Sequence, residues 1–265
     1  MPWTIERKHD HVPVVTMNTN KVNAQNPVFF ADLHAAFDRL EAEFSDCAVV
    51  LGGTGAVFSA GLDFDHHFPL FARRSLKEID AWFEAYRTTN LRLFTYPRPT
   101  VAAINGHAYA GGLITALGCD HRIAAEGALQ FSLNEVLIGI PMPAVYCEII
   151  KYTIGPRAAS ELTLLGRVYD LAAVVKMGVI GKTAAPSRLL DDAVTWAALV
   201  PPDCYPAYAF TKRALQATTM AAIDAAARFD RDWLSRGMSD PASLRALARR
   251  YRELKGREIT WVLPS

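Results

Sequence analysis

Glu135 stands alone as an acid in "LQFSLNEVLIGIPMP" (129–143), a stretch with no other charge. Phe131, Leu133, Val136, Leu137 and Ile138 flank it. A carboxyl held among such side chains has its pKa raised, and then exchanges protons readily near neutral pH. The same residues admit another reading, because Ser132-x-x-Glu135 has the spacing of a helix capping box. A second stretch, "GHAYAGGLITALGCD" (106–120), places Gly111 and Gly112 where a helix is expected to begin. The first N–H groups of a helix have no internal partner and sit at the positive end of its dipole. They suit an anion or a developing oxyanion, although two glycines equally permit close helix–strand packing. A third stretch, "GGTGAVFSAGLDFDHHF" (52–68), carries small residues at 59–61 that let backbone approach a ligand, or simply form a tight turn.

Other polar residues read more plainly. His66 and His67 lack a third metal ligand at convincing spacing and are expected in a solvated loop, so no metal site is expected. Asp10, between His9 and His11, reads as an exposed N-terminal tip. The sequence contains no serine in a GxSxG elbow, no P-loop and no GxGxxG after a strand.

The elements that must carry these residues alternate in type. "VPVVTMN" (12–18) reads as a strand, and Phe30, Leu33, Phe37, Leu40 and Phe44 trace a helix over 26–46. A buried strand over 47–53, a helix over 75–96 and a buried strand over 100–106 follow. Next come a helix over 111–120 and strands over 121–126 and 128–133. Beyond about residue 195 the chain is expected to be helical, over 205–236 and 241–254. The division is therefore a core of residues 1–195 and a helical segment of residues 196–265 for capping and oligomerisation. Strands alternating with helices define an α/β protein.

Bulk properties narrow the class. The 265 residues are 51% hydrophobic and 21% charged with a net charge of +1, which speaks against nucleic-acid binding. The four cysteines form no CxxC pair, so reduced thiols are expected. The first fifteen residues carry charges where a signal peptide needs an apolar stretch, and no uncharged run approaches the roughly 18–20 residues of a membrane span. These features predict a soluble, cytoplasmic protein.

In this order the three stretches resemble the crotonase (enoyl-CoA hydratase/isomerase) superfamily. "FSAGLDF" resembles its first oxyanion-hole motif and "PTVAAINGHAYAGGLITALGCDHRIAA" its second. "SLNEVLIGIPMP" resembles the segment bearing a catalytic acid, and "IGPRAASELTLLGRVYDLAAVVKMGVI" the helix pair beyond it. The resemblance implies an α/β fold, a crotonase-like spiral of ββα units with a helical C-terminal trimerisation region. It implies acyl-CoA thioester substrates, coenzyme A being part of the substrate and no separate cofactor. A homotrimer or dimer of trimers is also implied. The implied oxyanion donors are the N–H groups of Leu62 and Gly111. The implied coenzyme A contacts are Val22, Ala24, Ala60, Asp63 and Phe64, with Lys212 either meeting a phosphate or solvated. Loop 65–80 and helix 75–96 are expected to shape the acyl-tail pocket.

One departure selects among reactions. Hydratases of the superfamily carry two glutamates, one three residues after the oxyanion glycine. Here that position is Ile114, and only Glu135 matches. "PMPAVYCEI" (141–149) also lacks the glycine-rich turn often seen after the acid. The sequence is most similar to the Δ3,Δ2-enoyl-CoA isomerase branch, which implies a single glutamate shuttling a proton. Hydration, thioester hydrolysis or cleavage would need a second polar group, for which His107, Asp65 and His66 are the candidates. A non-catalytic acyl-CoA-binding protein is the alternative from another class.

Overall fold

The computed structural model describes residues 3–8, 12–72, 75–238 and 240–256. His9, Asp10 and His11 lie outside them. In chain order the elements are β1 (Thr4–Lys8), β2 (Val12–Met17), α1 (Pro27–Glu43), β3 (Val49–Gly53), β4 (Val57–Ser59), α2 (Phe64–Ala72) and α3 (Leu76–Phe94). Then follow β5 (Thr100–Ile104), β6 (His107–Tyr109), α4 (Gly111–Leu117), β7 (His121–Ala125) and β8 (Gln130–Ser132). A 3₁₀ turn (Val136–Ile138) leads to α5 (Ala144–Leu165), β9 (Tyr169–Asp170), α6 (Leu171–Lys176) and β10 (Lys182–Ala184). Three helices close the chain: α7 (Leu189–Ala197), α8 (Tyr205–Met238) and α9 (Pro241–Lys255).

The strands form two sheets. One is ordered β1-β2-β3-β5-β7-β10 and the other β4-β6-β8-β9. Each ββ pair, β3–β4, β5–β6 and β7–β8, gives its first strand to the larger sheet and its second to the smaller. Helices follow each pair, so the chain advances as a spiral of ββα units. The pairings among β2, β3, β5, β7 and β10 are parallel, and so are β4–β6 and β6–β8.

Burial on both faces explains the apolar composition of the central strands. Val49, Leu51, Ala102, Ile104 and Ala124 face one core cluster, with α1, α3 and α5. The alternating Val50, Val101, Ala103 and Ile123 face a second, under α7. Helix starts are set locally. Asn26 caps α1 by accepting from the Phe29 N–H at 3.1 Å, with Pro27 at the first turn. Ser75 caps α3 and Asp240 caps α9.

Five strands depart from expectation, namely β1, β4, β6, β9 and β10. β4 and β6 are three residues each, too short to display a period of two, and their sequences read as loop. β1 is a mostly exposed edge strand of charged character, paired antiparallel with β2. The described residues after 195 are mainly helical, in α8 and α9, as expected. Among the described residues, no helix is long and apolar enough to cross a membrane.

Candidate active site

The spiral places two turns side by side at the ends of β4 and β6. After β4, Gly61 adopts φ +77°, a conformation L side chains rarely take. A Cβ there would fall 2.8 Å from the Ala110 Cβ and 3.0 Å from the Gly111 nitrogen. The contact is therefore backbone against backbone, and only glycine permits it. After β6, Ala110 is held at φ +47°, ψ −127°. This is strain of the kind found at functional sites, on the order of 1–3 kcal/mol. The turn is pinned by the Ala110 N–H donating to the Ser132 carbonyl at 2.8 Å and by the Ile114 N–H returning to the Ala110 carbonyl at 3.0 Å. Gly111 and Gly112 then open α4. A Cβ at Gly112 would fall 2.3 Å from the Ser59 carbonyl oxygen, so this glycine serves packing. Among the described residues, neither the Leu62 N–H nor the Gly111 N–H donates a hydrogen bond. Both residues line one pocket.

That pocket is narrow and apolar, bounded by Leu62, Phe64, Trp82, Ile114, Glu135 and Tyr146 among others. Glu135 is the one carboxylate lining it among the described residues. The side chain is buried, the residue being only 7% exposed, and Oε2 has no hydrogen-bond partner. Burial raises its carboxyl from the usual value to about 7, its own backbone N–H opposing weakly. The capping box does not form. Glu135 precedes the 3₁₀ turn without capping it, and the Ser132 hydroxyl donates to the Gly166 carbonyl at 3.2 Å. The carboxyl is thus left free to face the pocket. Ile114, at the first turn of α4, presents hydrocarbon at the second acid position.

The segments expected to hold coenzyme A are adjacent. The Ala60 N–H donates to the Val22 carbonyl at 3.0 Å, the Gln25 N–H to the Gly61 carbonyl at 2.8 Å, and the Asp63 N–H to the Gln25 carbonyl at 2.9 Å. Residues 22–25 therefore run beside 60–63, with Val22 exposed, Ala24 buried and Ala60, Asp63 and Phe64 between. The structure brings Val22, Ala24, Ala60, Asp63 and Phe64 to the edge of the two turns.

Several residues are placed differently. Lys212 is neither solvated nor near these segments. It is buried in an ion pair with Asp120 at 2.7 Å and donates to the Tyr96 carbonyl at 2.9 Å. His66 and His67 lie on α2, not in a loop. His67 is fully buried, contacts the Asp63 carbonyl through Nδ1 at 2.9 Å, and is pushed down to about 4 by burial. His107 is engaged with the Gln130 N–H, and Asp65 with Tyr251 and Lys255, so neither lines the pocket. Among the described residues, no group of three or more His, Cys, Asp or Glu is arranged to hold a metal.

The sequence did not announce Gln25, Asn90, Thr115 or Tyr86. The Gln25 amide donates to the Gly111 carbonyl at 3.1 Å and to the Thr115 hydroxyl at 3.0 Å. Asn90 donates to the Tyr86 carbonyl at 2.9 Å and accepts from the Thr115 hydroxyl at 3.4 Å. Together they fix the first turn of α4 from behind. A polar residue on an otherwise apolar helix face, as Asn90 is on α3, was the only available signal.

Paired sheets wound as ββα units, with two backbone turns meeting over a buried acid, constitute the crotonase fold. Residues 7–253 match the profile of the enoyl-CoA hydratase/isomerase family, and the chain belongs to that family. It is 35% identical over 195 residues to a Thermus thermophilus relative named as an enoyl-CoA hydratase, covering 71% of this chain and 74% of that one. It is 30% identical over 186 residues to human mitochondrial enoyl-CoA delta isomerase 1, covering 69% of this chain and 60% of that one. The solved structure of human mitochondrial Δ3-Δ2-enoyl-CoA isomerase superposes with a TM-score of 0.86 at 26% identity, covering 97% of this chain and 99% of that one. The names divide between hydratase and isomerase, so the likeness leaves the reaction to be argued from the site.

Proposed function

We propose that the protein converts 3-enoyl-CoA thioesters to 2-enoyl-CoA thioesters, with Glu135 as the single proton shuttle. The observation that carries this reading is the pairing of one carboxylate with Ile114 at the place of a second. Glu135 takes a proton from C2, and the C–H electron pair moves into the thioester as a dienolate. The N–H groups of Leu62 and Gly111 donate to the developing oxyanion, a term in which removing one donor typically costs about 10²–10³ in rate. Glu135 then returns the proton to C4, and the double bond rests between C2 and C3. A carboxyl titrating near 7 holds and releases a proton with comparable ease at neutral pH, which suits a group that must do both. Hydrocarbon at Ile114, Ile138, Ile140 and Met142 keeps water from the dienolate.

Val22, Ala24, Ala60, Asp63 and Phe64 flank the coenzyme A moiety in this reading. The exposed apolar Phe210 and Leu215 on α8 support burial of that helix in a trimer. The test is Glu135→Gln assayed with a 3-enoyl-CoA. Loss of isomerisation by about 10²-fold or more is expected for removal of the proton carrier, and a wild-type rate sinks the assignment.

A further inference from the structure

We propose that the Tyr86 hydroxyl is a third donor to the thioester oxygen, completing the oxyanion site with the two backbone N–H groups. This rests on the enolate chemistry proposed above. Tyr86 projects from α3 into the pocket that Gly111 and Glu135 line. Its Oη lies 2.4 Å from the position a Cβ would take on Gly111. N and Cβ on one Cα are about 2.5 Å apart, so Oη lies within about 4.9 Å of the Gly111 nitrogen. One acceptor about 2.9 Å from each can take both hydrogen bonds.

The hydroxyl is held in place and unclaimed. Its ring stacks on Trp82 one helical turn earlier, at 5.6 Å and 14°. Phe30 at 5.2 Å and Tyr146 at 4.9 Å pack against it from other elements. Among the described residues no side chain or carbonyl accepts a hydrogen bond from Oη. The acceptor crowded against the same point, Gln25 Oε1, is itself without a partner. Ring packing therefore aims a buried donor into the pocket beside the proposed donor Gly111 N–H, and hydrogen bonding within the protein does not consume it. Burial holds the hydroxyl well above its ordinary value, so it stays protonated and donating at every working pH. The Glu135 charge nearby adds to that effect.

Tyr86→Phe keeps the ring stack and removes only the donor. The probe is acetoacetyl-CoA, a 3-ketoacyl thioester whose enolate absorbs in the near ultraviolet, titrated against pH on the full-length protein. Wild type is expected to stabilise the bound enolate, and Tyr86→Phe to weaken that stabilisation about 10²-fold or more, the order of one oxyanion donor. kcat on a 3-enoyl-CoA should fall by a similar factor with KM little changed and the acid limb of the pH profile in place. An enolate titration and kcat unchanged in Tyr86→Phe overturn the proposal. So does a moved acid limb with an unchanged enolate, because Tyr86 would then act through Glu135. A wild-type protein that fails to stabilise the enolate overturns both this proposal and the oxyanion reading. One that stabilises it without isomerising 3-enoyl-CoA overturns the isomerase reading alone, and the titration still judges Tyr86. If Tyr86→Phe does not fold, fluorotyrosine at position 86 supplies a more acidic donor. The bound enolate should then form at lower pH, and an unmoved titration overturns the proposal.

Discussion

Replacing Glu135 by glutamine should separate activity from stability in opposite directions. Burial holds the carboxyl at about 7, against 4.5 for the free group. Each pH unit of difference corresponds to about 1.4 kcal/mol, so the ionised carboxylate lowers folded-state stability by about 3 kcal/mol above pH 7. The sign follows from proton binding. Between 4.5 and about 7 the native state holds the proton that the unfolded state has released, so stability falls as pH rises through that window. Below it the contribution vanishes, and above it the loss is constant. Glutamine does not titrate. Its buried amide lacks a partner at the Oε2 position and carries a fixed penalty of about 1–3 kcal/mol, independent of pH. The difference in unfolding free energy, variant minus wild type, should therefore climb by about 3 kcal/mol from about pH 5 to about pH 8. Urea unfolding of both proteins at fixed concentration and matched ionic strength measures it, and other titrating groups cancel in the difference. A pH-independent difference would refute the reasoning, because the carboxyl would then be solvated rather than held in an apolar pocket.

Four further outcomes are expected. The rate of 3-enoyl-CoA turnover should rise with pH through about 7 and level off, since Glu135 must be ionised to take the proton; a flat profile from pH 5 to 8 contradicts this. In Gly111→Ala the new Cβ falls 2.2 Å from Gln25 Oε1 and 2.4 Å from Tyr86 Oη, so the turn must shift against two packed side chains. Single-turnover kinetics should show a loss of about 10²-fold with the fold retained. Gly112→Ala meets the Ser59 backbone instead, and thermal unfolding should register a destabilisation of about 1–3 kcal/mol. Lys212→Met leaves Asp120 partly buried without its cation and should destabilise by about 3–5 kcal/mol in urea, with KM for acyl-CoA unchanged because Lys212 lies away from the pocket.

Much of the scaffold was legible because its signals are local. The Phe30–Leu33–Phe37–Leu40 spacing marks α1, and β-branched runs mark β2, β3 and β5. Gly111 and Glu135 stood out because backbone freedom and a lone acid are visible in one dimension, whereas Leu62 entered only through the family resemblance. What decides between competing local readings is long-range. Ser132 and Glu135 have capping-box spacing, yet Ser132 closes β8 and bonds across to Gly166, which no short window reveals. His67 reads as a loop residue among polar neighbours until α2 turns it inward onto Trp82 at 5.3 Å. Lys212 pairs with Asp120 across the contact between α8 and the end of α4. Gln25 and Tyr86 reach Gly111 only because the spiral stacks 25, 61, 86 and 111. Tyr86 therefore carries no mark in the sequence of what it faces.

The central claim is that one carboxylate beside hydrocarbon at Ile114 moves a double bond instead of adding water. The direct test gives the full-length protein a 3-enoyl-CoA and the matching 2-enoyl-CoA in parallel. The first assay follows appearance of the conjugated thioester, and the second its loss to the 3-hydroxyacyl product. Conversion of the 3-enoyl-CoA is expected with kcat/KM about 10²-fold or more above that for hydration, the order one positioned acid–base group contributes. Hydration as fast as isomerisation, or faster, would contradict it.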